Sequence, residues 1–284
     1  MARPGGLCTP LGTLPQETTL LDLTPNDLKI SAEKILELHP DPVPHFRLLR
    51  DVLHLDPTSA DYCQAEKALQ GSKWIALLHR SQWPDGTWGR FHTQDTRVKQ
   101  PFITTEVAIT TALDSGLDRH SPILQKVQNV LVDYADGKIY WPDPPEKHDN
   151  PLAWYVWMRQ WSAAVLSQID QRHPRLEEFW NIWAESVKAS FHSGSYDRQK
   201  EIEALNSLLK CRMKNPVPFH NKYPLLILSA TDIPKTILQF SAFGELETAA
   251  KPPDRLHGGD TLIVVEGLRW VIAGWVKGIT RGKW

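Results

Sequence analysis

Three tryptophans are spaced so that they share one face of a helix. Trp154, Trp157 and Trp161 follow one another at i, i+3 and i+7, in a segment that Asn150 and Pro151 begin. Such a face can hold an apolar or cationic ligand by packing and through the electron-rich faces of the rings. The same spacing fits an aromatic stripe in an ordinary core, so both interpretations stay open.

A few polar residues are placed where they could do chemistry beside such a face. His148 and Asp149 come immediately before that helix, where unpaired backbone N–H groups converge. Asp95 follows a glycine–tryptophan turn, and Glu106 and Glu201 fall within two other predicted helices. Taken singly, each of these residues also fits a helix cap or a surface charge.

Periodic apolar residues, separated by helix breakers, predict an almost entirely helical chain. Thr24 and Pro25 open the first helix as a cap and a first-turn proline. Further helices are predicted over residues 43–53, 59–80, 102–115, 122–134, 151–169, 174–189 and 198–212, with at least two more toward the C-terminus. A short run at 262–265 is the one candidate strand, and residues 1–20 are interpreted as an N-terminal arm because they lack periodicity.

A repeat links these helices. Three predicted helices are each followed by a glycine and then by an aromatic residue, at Gly86 and Trp88, Gly137 and Tyr140-Trp141, and Gly194 and Tyr196. A glycine at a helix C-terminus permits a left-handed turn, which the aromatic can then pin against its neighbour. Helix pairs repeated in this way bury a continuous core by stacking, either as an open solenoid or as a closed ring.

The first copy resembles the glutamine–tryptophan repeat of squalene-hopene and oxidosqualene cyclases. Lys73, Leu78, Gln82, Gly86 and Trp88 match that pattern in register, whereas Trp74 and Leu77 replace its small and its aromatic residue. The run from Gln82 to Gly89 is also similar to the repeats of protein prenyltransferase β subunits. One good copy and two eroded copies cover roughly residues 70–200, about half of the chain.

The resemblance implies an α/α toroid, in which outer helices alternate with inner helices around an apolar cavity. The inner helices are then expected to begin near Phe102, Pro151 and Arg198. The residues expected to bind substrate in that cavity are Phe102, Trp154, Trp157, Trp161 and Glu201. Those expected to supply catalytic groups are Asp95, Glu106, His148 and Asp149.

The metal and acid motifs of these families are missing. The chain contains no Asp-x-Asp-Asp, whose acid protonates an alkene or epoxide in class II cyclases, and no adjacent pair of aspartates to hold magnesium on a diphosphate. Asp61-Tyr62-Cys63 with His120 has the local shape of a prenyltransferase zinc set, but it precedes the best repeat, and we interpret it as a chance match. Phosphate loops, dinucleotide fingerprints and nucleophile elbows are also absent. No metal and no cofactor is therefore expected.

Composition and charge favour a cytoplasmic protein with a small-molecule substrate. The formal net charge is −1, with 32 basic and 33 acidic residues, so no charge field favours nucleic acid or an anionic membrane. The N-terminus lacks the apolar stretch of a signal peptide, and no apolar run is long enough to span a bilayer. Three widely spaced cysteines, Cys8, Cys63 and Cys211, argue against a disulfide scaffold.

These expectations combine into an all-α protein with a single toroid domain over residues 21–284. Its predicted function is to fold a terpenoid or polyene-type hydrophobic substrate into a ring product without redox cofactor or metal. Because the class II acid motif is missing, a pericyclic or isomerising ring closure fits better than a proton-initiated one. The alternative is a non-catalytic toroid, or an open helical repeat, that binds a lipid or a partner protein.

Overall fold

The described part of the chain is all-helical. A computed structural model describes residues 24–144 and 150–230. Helices make up 59% of these residues, and no strand occurs among them. The all-α fold class predicted from the sequence is therefore confirmed for this part, whereas the candidate strand at 262–265 and the arm at 1–20 lie outside the described residues.

Ten α-helices and one π-helical turn are found in the described ranges. In chain order the α-helices are α1 Pro25–Leu36, α2 Pro42–Arg47, α3 Ala60–Gln70, α4 Lys73–Ser81, α5 Thr105–Asp114, α6 Pro122–Ala135, α7 Pro151–Ile169, α8 Leu176–Ser190, α9 Arg198–Leu208 and α10 Lys222–Leu228. The π-helical turn Leu48–Val52 directly extends α2. Helices α5, α7 and α9 begin at or near positions 102, 151 and 198, and the arrangement of these helices as the inner layer of a toroid stays a prediction.

The chain forms two compact units, the first ending at Gln70 and the second beginning at Gly71. In the first unit, α1 starts with a capping box: the Thr24 hydroxyl accepts from Asp27 N–H, and the Asp27 carboxylate accepts from Thr24 N–H. Phe46 packs edge-on against Tyr62 at 5.3 Å between ring centroids, which joins α2 to α3. The single domain predicted over residues 21–284 stays a prediction.

The single helix predicted over residues 59–80 is wrong, because two helices occupy it. α3 ends at Gln70, and α4 begins at Lys73. Ser72 has an extended backbone, and its hydroxyl accepts from Ile75 N–H at 3.4 Å as the N-cap of α4. Gly71-Ser72 is thus a helix-stop and helix-start signal inside a continuous apolar pattern.

Helix α7 is the central element of the second unit. It contacts α5, α6, α8 and α10. Because it has neighbours on several sides, buried residues lie all around it, including the polar Gln160 and Ser162. Each of these polar side chains has a tryptophan partner: Trp183 Nε1 donates to Gln160 Oε1 at 3.0 Å, and Trp141 Nε1 donates to Ser162 Oγ at 2.8 Å.

The repeat turns keep their glycine geometry but differ in packing. Gly86, Gly137 and Gly194 all have positive φ, at 90°, 72° and 82°, as predicted for left-handed turns. Trp88 is 1% exposed, and its Nε1 donates to Leu78 O at 3.1 Å, whereas Tyr196 is 39% exposed. The repeat aromatic is therefore buried in the first copy and partly exposed in the third, where Tyr196 still contacts the rings of Phe191 and Phe219.

The first repeat turn also ties two helices together. The Gln82 side-chain amide donates to Gly86 O and to Ile123 O, each at 2.9 Å. Ile123 lies in the first turn of α6, so a single glutamine connects the end of α4 to the start of α6. A Cβ at Gly86 would lie 3.1 Å from the Lys126 backbone, which leaves room for glycine only.

In the described ranges, no helix is both long enough and apolar enough to cross a membrane.

Candidate functional site

Glu106 lies in the first turn of α5, where the helix meets the loop that follows the first repeat. Thr104 caps the helix by accepting from Val107 N–H at 3.2 Å. The N–H groups of Thr105 and Glu106 donate to Arg90 O and Phe91 O, at 2.8 and 3.1 Å. These bonds satisfy the free N–H groups of the first turn and hold the loop beside the Glu106 side chain.

The Glu106 carboxylate is the centre of a polar cluster, and its partners come from distant parts of the chain. His92 Nδ1 lies 2.9 Å from Oε2, and Lys222 Nζ lies 2.7 Å from Oε1. The Tyr223 hydroxyl donates to the same carboxylate, at 3.0 and 2.9 Å from its two oxygens, and it lies 3.1 Å from His92 Nδ1. We refer to Glu106, His92, Lys222 and Tyr223 as the Glu106 cluster.

Glu106 is ionised in this cluster. Burial of the side chain opposes ionisation, but the hydrogen bond from His92 and the charge and hydrogen bond of Lys222 outweigh it and lower the pKa of Glu106 to about 2. An ionised carboxylate can only accept hydrogen bonds, so its contact with His92 requires a proton on Nδ1. When the imidazole is neutral, Nε2 then carries the lone pair.

Tyr223 stays protonated and acts as a donor. Burial, together with the charge of Glu106 and the hydrogen bond to it, raises the pKa of Tyr223 far above its usual value. The Tyr223 ring and the Glu106 side chain are buried, whereas the side chains of His92 and Lys222 are 35% and 39% exposed. The cluster thus has an enclosed carboxylate and two nitrogen groups that solvent can reach.

Aromatic rings form one side of the cluster. The Trp161 ring lies 4.8 Å from the His92 ring and 5.1 Å from the Tyr223 ring, centroid to centroid. Trp154 meets Trp161 edge-on at 5.5 Å. Of the three tryptophans predicted to bind substrate, Trp161 is therefore next to the titratable groups, and Trp154 packs on Trp161.

Asp143 holds the loop that carries His92. Its buried carboxylate accepts from the backbone N–H groups of Phe91, His92 and Thr93, at 2.7, 2.8 and 2.7 Å, and from the Thr93 hydroxyl at 3.0 Å. Beside it, the Phe91 ring stacks on Trp141 at 4.6 Å. The segment after the second repeat therefore fixes the segment after the first.

The remaining predicted substrate-binding residues lie in packed or bonded positions. Trp157 stacks on Trp183 of α8 at 6.1 Å, and Phe102 is buried against Trp88 at 6.5 Å. Glu201 is 0% exposed and accepts from Phe219 N–H, from the Tyr196 hydroxyl and from Arg198 Nη1, at 2.5, 2.6 and 2.5 Å. None of these contacts involves the Glu106 cluster.

The four residues predicted to be catalytic do not all lie in the cluster. Glu106 is at the centre of the cluster. Asp95 lies in the loop between α4 and α5, where hydrogen bonds from the Arg97 side chain and backbone hold the pKa of its carboxyl well below the usual range. His148 and Asp149 lie outside the described residues.

His92, Lys222, Tyr223 and Asp143 are not among the residues predicted from the sequence. His92 stands four positions after the repeat tryptophan Trp88, and Asp143 two positions after Trp141. A place within four residues after a repeat aromatic is the one local signal that His92 and Asp143 carry. Lys222 and Tyr223 follow the helix cap Asn221, which by itself predicts only a helix start.

Among the described residues, no group of three or more His, Cys, Asp or Glu side chains is arranged so that it could hold a metal ion. A shallow surface depression lies along α8 and is lined by Glu177, Glu178, Ile182, Glu185 and Leu208 among others. It contains no member of the Glu106 cluster.

Comparison of the chain with protein-family models, with curated proteins and with solved structures gives no match. The resemblance of residues 73–88 to the glutamine–tryptophan repeat therefore rests on those residues alone.

Proposed function

We propose that the chain is an enzyme that isomerises or cyclises an apolar, polyene-type substrate by proton transfer, with His92 as the general base. The observation that carries this proposal is the bond between the ionised Glu106 and His92 Nδ1 at 2.9 Å. A carboxylate on one ring nitrogen orients the imidazole, leaves the other nitrogen basic and stabilises the imidazolium once a proton has been taken. The half-exposed position of His92 lets a substrate reach it.

The proposed scaffold is the α/α toroid that the repeat implies. In its support, α5 and α7 begin where the inner helices are expected, and they contact each other. Glu106 comes from the first of these helices and Trp161 from the second, so the two proposed inner helices supply the carboxylate that orients His92 and an aromatic wall. Trp154 and Trp161 provide the surface on which an apolar chain can pack.

Glu106 is better suited to orient a base than to act as an acid. Protonation of an alkene needs a carboxylic acid that keeps its proton, and the pKa of Glu106 is lowered to about 2. An isomerising ring closure needs no such acid. His92 Nε2 takes a proton from a substrate carbon, and the electron pair of that C–H bond forms the new bond to one carbon of a C=C double bond. The π pair of that double bond moves to its other carbon, where the imidazolium returns the proton. Product and substrate are isomers, so no oxidant or reductant is consumed.

Mass spectrometry of reactions run in D2O tests the proposal. The purified full chain is incubated, without added metal, with a panel of polyprenyl and polyene hydrocarbons, alcohols and ketones. We expect an isomeric product that contains deuterium, formed at least about 100-fold more slowly by His92→Gln, since a general base typically contributes that much. The matched control is His120→Gln, because His120 is an exposed histidine outside the Glu106 cluster, and it should keep the wild-type rate.

Two results would overturn the proposal. One is a product formed equally fast by the wild type and by His92→Gln. The other is binding of polyene compounds without conversion of any of them, which would identify the non-catalytic binding protein that the sequence leaves as the alternative.

A further inference from the structure

We propose that the substrate carries a carbonyl group, whose oxygen is bound by Lys222 while His92 removes a proton from the adjacent carbon. This inference rests on the proposed function and narrows its substrate class from polyenes in general to polyene or polyprenyl ketones and aldehydes. The observation behind it is that the base and an ammonium group are bonded to the two oxygens of one carboxylate, His92 to Oε2 and Lys222 to Oε1 of Glu106.

Lys222 retains hydrogen-bonding capacity at this site. An ammonium group has three N–H donors, and Lys222 Nζ gives one of them to Glu106 at 2.7 Å. Its side chain is 39% exposed, and we propose that a ligand oxygen accepts from one of the remaining donors. Because one carboxylate binds both nitrogen groups, we place the carbonyl oxygen at Lys222 and the neighbouring carbon beside His92.

A second donor at the cluster lacks a partner. Within the described part of the chain, the buried Trp161 Nε1 makes no hydrogen bond. The Trp161 ring packs on both His92 and Tyr223, and we include its N–H in the proposed site. A buried N–H without an acceptor is costly, and the oxygen of a bound carbonyl compound is the kind of acceptor that relieves this cost.

The charges of the cluster match the charges of an enolisation. Before reaction, Glu106 is negative, Lys222 is positive and His92 is neutral. His92 Nε2 then takes the proton, the C–H electron pair becomes the C=C bond of the enolate, and the C=O π pair moves onto the oxygen. The new imidazolium faces Glu106, and the new enolate oxygen faces Lys222, so each new charge meets an opposite one. Return of the proton to the same carbon, or to a conjugated carbon, restores the carbonyl.

Deuterium exchange into geranylacetone, a polyprenyl ketone, tests this assignment, with squalene as a hydrocarbon without a carbonyl. In D2O, the wild type should exchange the hydrogens next to the carbonyl of geranylacetone and leave squalene unchanged. Lys222→Met should lower the exchange rate about 100-fold, in line with the loss of a donor to a developing oxyanion. Lys222→Arg keeps a cation and should retain most of the rate.

A spectroscopic readout separates binding of the carbonyl from a loss of structure. With a 13C-labelled carbonyl, the C=O stretch of bound geranylacetone should lie at lower frequency in the wild type and in Lys222→Arg than in Lys222→Met. Circular dichroism identifies any variant that fails to fold. If Lys222→Met fails to fold, the wild type is compared with Lys222→Arg instead.

The outcomes distinguish this inference from the proposed function. If squalene is converted in a His92-dependent reaction while geranylacetone is not exchanged, the carbonyl inference is wrong and the proton-transfer enzyme stands. If Lys222→Met exchanges geranylacetone as fast as the wild type, Lys222 does not bind the oxygen. If the wild type converts neither compound nor any other in the panel, both proposals fail.

Discussion

Two buried glutamates, Glu106 on α5 and Glu201 on α9, share two kinds of hydrogen-bond partner and differ in the third. Each accepts from a tyrosine hydroxyl and from a cation: Tyr223 and Lys222 bind Glu106, and Tyr196 and Arg198 bind Glu201. The third partner differs. Glu106 binds the imidazole of His92, which has a second nitrogen that can take up a proton, whereas Glu201 binds the backbone N–H of Phe219, which cannot.

The comparison shows that burial of a carboxylate does not by itself identify a site. Glu201 is 0% exposed, and its neighbours Tyr196 and Arg198 lie five and three residues before it, so it closes a local turn. Glu106 gathers partners from 14 residues before it and from 116 and 117 residues after it. Two of those partners, His92 and Lys222, are partly open to solvent. We therefore assign a structural role to Glu201 and a chemical role to Glu106.

The largest predicted effect is on stability, at Glu201. Glu201→Ala leaves the buried backbone N–H of Phe219 without an acceptor and removes the carboxylate partner of the partly exposed Arg198 and Tyr196 side chains, so it should cost about 3–5 kcal/mol of unfolding free energy. Urea denaturation measures this loss. Glu203→Ala removes an exposed glutamate from the same helix and should change the unfolding free energy by less than about 0.5 kcal/mol. Equal stabilities of the two variants would contradict the structural role of Glu201.

The tryptophans of α7 should likewise divide into one with a structural role and one that contacts the ligand. Trp157 packs on Trp183 in the core, so Trp157→Ala should cost about 3–5 kcal/mol of unfolding free energy. Trp161 packs on the Glu106 cluster and is only partly buried, so Trp161→Ala should cost less and should weaken the binding of polyene compounds. Thermal unfolding and equilibrium dialysis with geranylacetone measure the two effects. A larger loss of binding in Trp157→Ala than in Trp161→Ala would reverse these roles.

The acid stability of the protein should report on Glu106. Its pKa is lowered from 4.5 to about 2 on folding, so its contribution is fully present above pH about 4.5 and is lost as the pH falls through about 2. The contribution amounts to up to about 3 kcal/mol. Glu106→Gln cannot ionise and should lose less stability than the wild type between pH about 5 and about 2.5 in urea denaturation. Parallel acid curves for the two proteins would show that Glu106 is not strongly paired.

The smallest predicted effect concerns Asp143, which positions His92. Asp143→Asn keeps the shape but replaces one acceptor oxygen with an amide that donates, so it should cost about 1–2 kcal/mol of unfolding free energy. It should also lower the rate of any His92-dependent reaction. Asp133→Asn, a change at a half-exposed surface aspartate, is the matched control and should alter neither quantity. An unchanged reaction rate in Asp143→Asn would show that the loop holds His92 without this carboxylate.

Local signals account for most of the fold that could be predicted. Thr24-Pro25 and Asn150-Pro151 mark the starts of α1 and α7, and Asp197 caps α9. The break at Gly71-Ser72 is missed because the apolar pattern continues through it. In each correct case a cap or a first-turn proline acts within a few residues, which a single sequence displays directly.

The candidate site could be predicted only in part. Glu106 and Trp161 are predicted from their places on helices that the resemblance implies to be inner ones, but Tyr223 reaches Glu106 from 117 residues away, and no local period encodes that contact. Trp157 shows a second limit. Because α7 has neighbours on several sides, an i, i+3, i+7 pattern cannot tell a residue that faces the site from one that faces the core.

The state of the His92 ring tests the central claim most directly. Nitrogen-15 NMR of the full chain with labelled histidine, assigned by the signal that disappears in His92→Gln, shows which ring nitrogen carries the proton. For neutral His92 we predict a proton on Nδ1, bonded to the Glu106 carboxylate, and a bare Nε2. In Glu106→Gln the preference for this tautomer should weaken. A neutral His92 with its proton on Nε2 in the wild type would contradict the assignment of this nitrogen as the general base.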